Sequence, residues 1–214
     1  LIILTSVEPE RACCSTRNGC STTLRTPEDL STPAEQLLDA AAIQAIVQQF
    51  VDYVRRLVDD PGDVCLIGIQ SRGDVLAKRV QQQVYDASGM ELECGALDIT
   101  LYRDDFDSMS EQPFVGRTDI PFPLDGKTVM LIDDVLFTGR TIRAALDVIV
   151  TLGRPARVVL LVLVDRGWRE LPIAADCAGY TVQTEQADQV QLTLVEVDGE
   201  DRLWLHRAPD HDDA

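Results

Sequence analysis

No apolar stretch of this chain is long enough to cross a membrane. The longest uninterrupted run, Val158–Val164, stops at Asp165, whereas a spanning helix needs about 20 residues. It reads as a buried strand, and no membrane partner is expected. Positive charge is also scarce: 19 Lys and Arg face 36 Asp and Glu, for a net charge of −17. That balance opposes broad attraction to phosphate polymers or anionic lipid and leaves only a local basic face for such ligands. Lys78 and Lys127 are the only lysines, so arginine supplies the remaining cations. An acid excess with little lysine is consistent with a salt-rich cytoplasm, with genomic bias, or with a solubility device.

Metal-ligand spacing is missing too. The cysteines are Cys13, Cys14, Cys20, Cys65, Cys94 and Cys177, with no CxxC pair and neither histidine close by, which argues against structural zinc. Cys65 and Cys94 fall in apolar strand patterns and are expected to be buried, reduced thiols of a cytoplasmic protein. His206 and His211 are weak catalytic candidates, better explained by packing or solvation.

What is present reads as one domain with appendages. Leu1 to Pro33 shows no periodicity and is expected to be disordered or extraneous. Its opening Leu1-Ile2-Ile3-Leu4 is too short for a secretory apolar core and has no basic residue before it, so secretion is not expected. The domain is expected over residues 34–207, with an acidic tail over 208–214. Leu38, Ala42, Ile46, Phe50, Val54 and Leu57 recur at three- and four-residue steps and predict a helix over Glu35–Val58. Strands are then expected at Val64–Ile69, Leu92–Leu101, Thr128–Ile132 and Val158–Val164, with helices at Asp74–Ala87 and Thr141–Leu152. Short strands near Val190–Val197 and Leu203–Leu205 would finish the sheet or form an edge hairpin. This alternation predicts an α/β fold, a mainly parallel central sheet flanked by helices, with ligands at the carboxyl ends of the strands. Arg103–Pro123 is long, polar and aperiodic, a candidate flap.

The chemistry concentrates in Val129–Thr141. An apolar strand delivers Asp133 and Asp134 to its carboxyl end, and Thr138-Gly139-Arg140-Thr141 then opens a helix. Paired carboxylates accept from vicinal hydroxyls, while the turn offers backbone N–H groups and a helix N-terminus to a phosphate. Together they describe a cradle for a phosphorylated ribose. Helix capping alone would explain the acids but not the turn. Gly126-Lys127-Thr128 has the tail of a nucleotide-hydrolase P-loop, but position 121 is Pro and the tripeptide precedes a strand. A phosphoacceptor receiver domain would need a later Lys, and none follows Lys127.

The acidic pair with its Thr-Gly-Arg-Thr turn resembles the phosphoribosyl pyrophosphate (PRPP) motif of type I phosphoribosyltransferases. Gly68–Gly73, Asp98–Asp105 and Val162–Pro172 are further similar, in order and spacing, to blocks of the PyrR family, pyrimidine operon attenuators that are also uracil phosphoribosyltransferases. The resemblance covers about Leu37–His206. It implies the type I fold with a long flexible loop, conversion of uracil and PRPP to UMP and pyrophosphate, Mg2+ carried with PRPP, and dimers or larger assemblies. It also implies site roles: Asp133 and Asp134 on the ribose hydroxyls, and Val135, Leu136, Phe137, Thr138, Gly139, Arg140 and Thr141 around the 5-phosphate. Ser71, Arg72 and Gly73 would hold pyrophosphate, with Arg103, Asp104 and Asp105 on the mobile loop and Asp165, Arg166 and Gly167 reading the base. No protein ligand directly on the metal is expected. Trp168 stands where many relatives have His, and Phe137 where Tyr is frequent, so neither side chain inherits a role.

Two function classes follow: the enzyme, and a UMP-responsive regulator that binds pyrimidine operon leader RNA. The first helix offers Gln44, Gln48, Gln49 and Asp52 where RNA-binding relatives carry basic and hydroxyl-bearing residues. Arg55 and Arg56 are the substitutes on that helix. A purine phosphoribosyltransferase on the same scaffold, or a protein that catalyses without binding RNA, are the alternatives.

Overall fold

The segment expected as one long helix divides at Asp39. In the computed structural model, which describes residues 34–58, 60–100 and 118–208, Glu35–Leu38 is strand β1 and helix α1 spans Ala40–Leu57. Asp39 is extended, and its carboxylate accepts the Ala42 N–H at 2.9 Å, capping the helix. Leu38 therefore leaves the helical stripe. The buried face of α1 is Ile43, Ile46, Val47, Phe50, Val51 and Val54, while Leu57 is 37% exposed.

The central alternation follows as β2 (Val64–Ile69), α2 (Gly73–Ser88), β3 (Glu93–Leu97), β4 (Thr128–Leu136), α3 (Arg140–Leu152), β5 (Arg157–Asp165) and β6 (Cys177–Thr181). These five strands form one sheet in the order β3-β2-β4-β5-β6, parallel throughout. Period-two alternation sends Leu66, Met130, Ile132, Leu161 and Leu163 into the core shared with α1 and α2, and Cys65, Ile67, Val129, Leu131, Leu160 and Val162 into the core shared with α3. Both faces are covered, which is why the strands read as continuous apolar runs.

The structure departs from the sequence pattern at three further places. Cys177–Thr181, too short and polar to announce itself, is the edge strand beside β5. The second strand ends at Leu97, not Leu101. Of the two readings for the C-terminal strands, completion of the central sheet is overturned, whereas the hairpin forms but away from that sheet's edge. β7 (Gln189–Thr193) and β8 (Arg202–His206), joined through the one-turn helix α4 (Val195–Asp198), form a separate antiparallel sheet with β1, in the order β1-β8-β7.

The chain runs from β2 through α2 to β3 on one side, whereas β4 lies on the other side of β2. Strand order thus reverses between β2 and β4, the place where open α/β sheets leave a crevice for ligands. The segment that includes Arg103, Asp104 and Asp105 lies largely outside the described residues, as do Leu1–Pro33 and residues 209–214. At the borders of that segment, Thr118 Oγ1 accepts the Asp98 N–H at 3.2 Å and Ala96 bridges Asp119. Among the described residues no helix is long and apolar enough to cross a membrane.

Candidate active site

Strand β4 runs four residues further than its apolar pattern suggests, because β5 continues beside it with Asp133 opposite Val162 and Leu136 opposite Asp165. The acidic pair therefore lies within the strand. Successive side chains of a strand point to opposite faces, so the two carboxylates begin on different sides of the sheet. Asp133 is 4% exposed. Asp134 accepts the Val135 N–H at 2.8 Å. Burial pushes Asp134 above the ordinary carboxylate range, against the pull of the Val135 N–H, of Arg72 and of a hydrogen bond with Asp133.

The next turn is shaped by backbone constraints. Gly139 adopts φ 93°, which a side chain resists, and starts α3 as its N-cap without any side-chain cap. The Arg140 N–H donates to Thr138 Oγ1 at 3.4 Å, and a helix start of this kind aims its first-turn N–H groups where an anion can bind. Thr138 O accepts from the Glu170 and Leu171 N–H groups at 3.0 and 3.2 Å, tying the turn to the segment after β5. Arg140 points to Glu170, its Nε donating at 2.7 Å, in an exposed ion pair.

The turn after β2 lies against β4. A Cβ at Gly73 would come within 2.5 Å of Ile132 O and 3.2 Å of the Asp133 Cα, and one at Gly68 within 2.3 Å of the Asp74 Cα. Only glycine permits this approach, which brings Ser71–Gly73 beside the acidic pair. Ser71 is exposed, following a cis peptide bond from Gln70. Arg72, the N-cap of α2, donates from Nη2 and Nε to Asp198 at 2.9 and 3.3 Å.

Asp165, Arg166 and Gly167 line a cleft of about 620 Å³ together with Trp168, Thr181–Glu185 and Arg207. Arg166 is 6% exposed and stacks on the Phe137 ring, 4.0 Å from its centroid, while Nη2 donates to Glu185 O at 3.0 Å. Burial pushes its pKa down, with Asp188 opposing. Among the described residues, Arg166 Nε and Thr184 Oγ1 are buried there without a hydrogen-bond partner. Trp168, with φ 59°, donates from Nε1 to Thr184 O at 2.7 Å.

Nothing in the sequence pattern gives Arg169 a role. Its Nη1 donates to Phe137 O at 2.6 Å, Gly167 O at 2.9 Å and Leu136 O at 3.3 Å, its Nε to Ile173 O at 3.0 Å, and its Nη2 to Asp165 at 2.5 Å. One guanidinium thereby joins the phosphate turn to the segment expected to read the base. The only hint in the sequence is an Asp-to-Arg spacing of four outside any helical pattern.

A model of the phosphoribosyl transferase domain matches residues 33–198. The bifunctional protein PyrR of Chloroflexus aurantiacus is 46% identical over 178 residues, which cover 83% of this chain and 98% of that protein. The chain belongs to the PyrR group of the phosphoribosyl transferase family. Bifunctional protein PyrR of Thermus thermophilus is 52% identical to this PyrR-group chain over 142 residues, 66% of this chain and 78% of the relative. A hypoxanthine phosphoribosyltransferase from Staphylococcus aureus superposes with a TM-score of 0.61 at 17% identity, over 87% of this chain and 98% of the other. That likeness establishes the type I phosphoribosyltransferase fold and says nothing of the base.

Proposed function

We propose that this PyrR-group protein transfers the phosphoribosyl group of PRPP to uracil, forming UMP and pyrophosphate. The observation that carries the reading is the meeting of two anion-suited turns, Ser71–Gly73 and Thr138–Thr141, beside the Asp133–Asp134 pair where the strand order reverses. In this reading Asp133 and Asp134 accept from the ribose hydroxyls. The segment Val135, Leu136, Phe137, Thr138, Gly139, Arg140 and Thr141 surrounds the 5-phosphate, with backbone N–H groups of its turn and the Thr138 and Thr141 hydroxyls as donors. Arg72 and its turn face pyrophosphate, joined by Arg103, Asp104 and Asp105, and the cleft at Asp165–Gly167 receives the base.

The donor set suits a hard cation that arrives on the substrate. Among the described residues no three His, Cys, Asp or Glu converge, and Mg2+ is commonly held by one or two carboxylates with phosphate oxygens and water. When bound it neutralises charge on the departing pyrophosphate. The chain's own residues hold the ribose in line between base and leaving group, and the transition state loosens at the anomeric carbon. The C1–O bond to pyrophosphate breaks as the bond from C1 to uracil N1 forms, and the N1 proton passes to water, with no dedicated protein base assigned. Arg72 and the N–H groups aimed at phosphate meet charge as it develops.

The deciding experiment is PRPP-dependent nucleotide formation with uracil, hypoxanthine, guanine and orotate side by side. Uracil alone should yield product; turnover of hypoxanthine or guanine would make this a purine enzyme.

The second reading, leader-RNA binding tuned by UMP, is favoured by one surface. Arg55 and Arg56 end the exposed face of α1 and border a shallow groove with Gln48, Gln49 and Asp52. Few cations give a weak salt dependence, while amides can still donate to bases. A labelled cognate hairpin should bind better than a scrambled one in the presence of UMP, and Arg55→Ala with Arg56→Ala should weaken it. Equal affinity for both hairpins leaves catalysis alone. We assign the domain to residues 34–207, with a tail beyond, a cytoplasmic location, and a homo-oligomeric state.

A further inference from the structure

Arg72 and Arg79 are seven residues apart, two turns of α2, so they leave one face of the helix. Both reach the acidic segment between β7 and β8. Arg79 donates from Nη1 and Nη2 to Asp201 at 2.7 Å and from Nε and Nη2 to Glu196 at 2.8 and 2.5 Å. Its guanidinium is engaged on every edge. Arg72 differs: Asp198 takes only its Nε and Nη2 edge. Among the described residues Nη1 of Arg72 has no hydrogen-bond partner, and the guanidinium is near enough to Asp134 to draw that carboxylate's pKa down against burial. Asp198 is itself fixed, its Oδ2 accepting the Leu194 N–H at 2.9 Å.

We propose that Asp198 is a positioning residue for pyrophosphate: by gripping one edge of the Arg72 guanidinium, it presents the other edge to the substrate's diphosphate. The proposal rests on reading Ser71–Gly73 as the pyrophosphate turn. An arginine free to rotate loses side-chain entropy when it binds an anion, and one already held loses little. The small sheet therefore contributes to the site through Arg72 without touching substrate. Burial opposes the charge on Asp198, but the Leu194 N–H and Arg72 outweigh it and keep the carboxylate ionised at neutral pH. Asp198 also sets a negative charge near the anion, so a competing role, in which it shields Arg72 from substrate, has the opposite sign and is directly tested.

The test is calorimetric titration of the full chain with magnesium and inorganic pyrophosphate, for wild type, Asp198→Asn, Asp198→Ala and Asp198→Glu, each also in an Arg72→Ala background. Asp198→Ala should weaken binding about tenfold, Asp198→Glu should recover part of the loss, and the KM for uracil should stay put. With Arg72 already removed, the Asp198 substitution should change affinity less than twofold, because its effect runs through that side chain. Asp198→Asn keeps the shape and one acceptor, so it reports even if the alanine variant unfolds. Wild-type binding matched or exceeded by Asp198→Asn would overturn the proposal in favour of a bystander or a competitor. An equal loss with and without Arg72 would overturn it too. If the wild type fails to bind pyrophosphate, the assignment of the turn falls, and this inference with it.

Discussion

Asp134 is poor for stability and, in the proposed function, needed for binding. Its pKa is raised by burial, so the protonated form is favoured by folding and the ionised form costs stability near neutrality. The stabilising state is fully present below the unfolded carboxyl pKa and is lost as pH rises through the higher folded value. Asp134→Asn should therefore melt at or above the wild-type temperature while weakening PRPP by roughly 1.5–3 kcal/mol, the worth of a charge-assisted contact. Thr141→Ala should weaken PRPP without unfolding the chain, since Thr141 is only half-buried at the start of α3. Calorimetric PRPP affinities equal to wild type for both variants would remove the cradle. The thiols make a second prediction at this scale. Burial pushes Cys65 up to about 12 and Cys94 to about 11, so at pH 8 almost no thiolate is available. Mass spectrometry after iodoacetamide treatment should find both unmodified in the folded chain and both alkylated in denaturant.

Among the elements, β1 was the least legible. Leu38 fits the helical stripe of α1 by spacing, and only Asp39 marks the break; its extended backbone and its bond to the Ala42 N–H decide where the helix begins. The strand is held by pairing with β8 more than 160 residues away, at Glu35–Leu205, Gln36–Trp204 and Leu38–Leu203, and no local signal encodes such a partner. Deleting Leu1–Pro33, which carries no periodic apolar face, is expected to leave activity and Tm unchanged. Extending the deletion through Asp39 removes β1 and the α1 cap together and should lower Tm by several degrees. Identical melting curves for the two truncations would mean that β1 contributes nothing to the fold.

At the scale of the whole molecule, the small sheet is fastened to α2 by charge. Arg79 holds Glu196 and Asp201, and Arg72 holds Asp198. Hydrogen bonds from Arg79 lead in keeping Glu196 and Asp201 below their ordinary values, while for Asp198 burial is outweighed by the Leu194 N–H and Arg72. A depressed carboxylate pKa adds stability above the unfolded value and loses it as pH falls through the folded one. The clasp should thus contribute fully above the unfolded values of 4.5 for Glu and 3.8 for Asp, weaken as pH falls below them, and be lost only once pH has passed the lower folded values. Acid titration followed by Tm should show wild type losing stability below about pH 4, with Arg79→Ala already weakened at pH 7 and less sensitive to acid. Net charge acts in the other direction. At −17 the molecule repels itself, and added KCl should screen this and raise Tm at neutral pH. A flat or falling curve would show that the clasp outweighs the repulsion and would remove the salt-rich-cytoplasm reading.

The sequence alone determined the parallel α/β alternation, the acidic strand end and the Thr138–Thr141 turn proposed to bind phosphate, because each is local. Buried parallel strands must be apolar throughout, and an anion-binding helix start needs glycine and hydroxyls within a few residues. Those signals led directly to the family. Tertiary structure decided what depends on distant partners: that β4 carries its acids inside the sheet because β5 runs beside it, that Cys177–Thr181 pairs as an edge strand, and that β1 closes a second sheet with β8. It also decided the arginines. Charge and spacing cannot tell Arg166, stacked on Phe137, from Arg169, which ties four backbone carbonyls, or from Arg72, held by an aspartate 126 residues away. A long cation is placed by the acceptors that the fold brings within its reach, and only the folded chain assembles them.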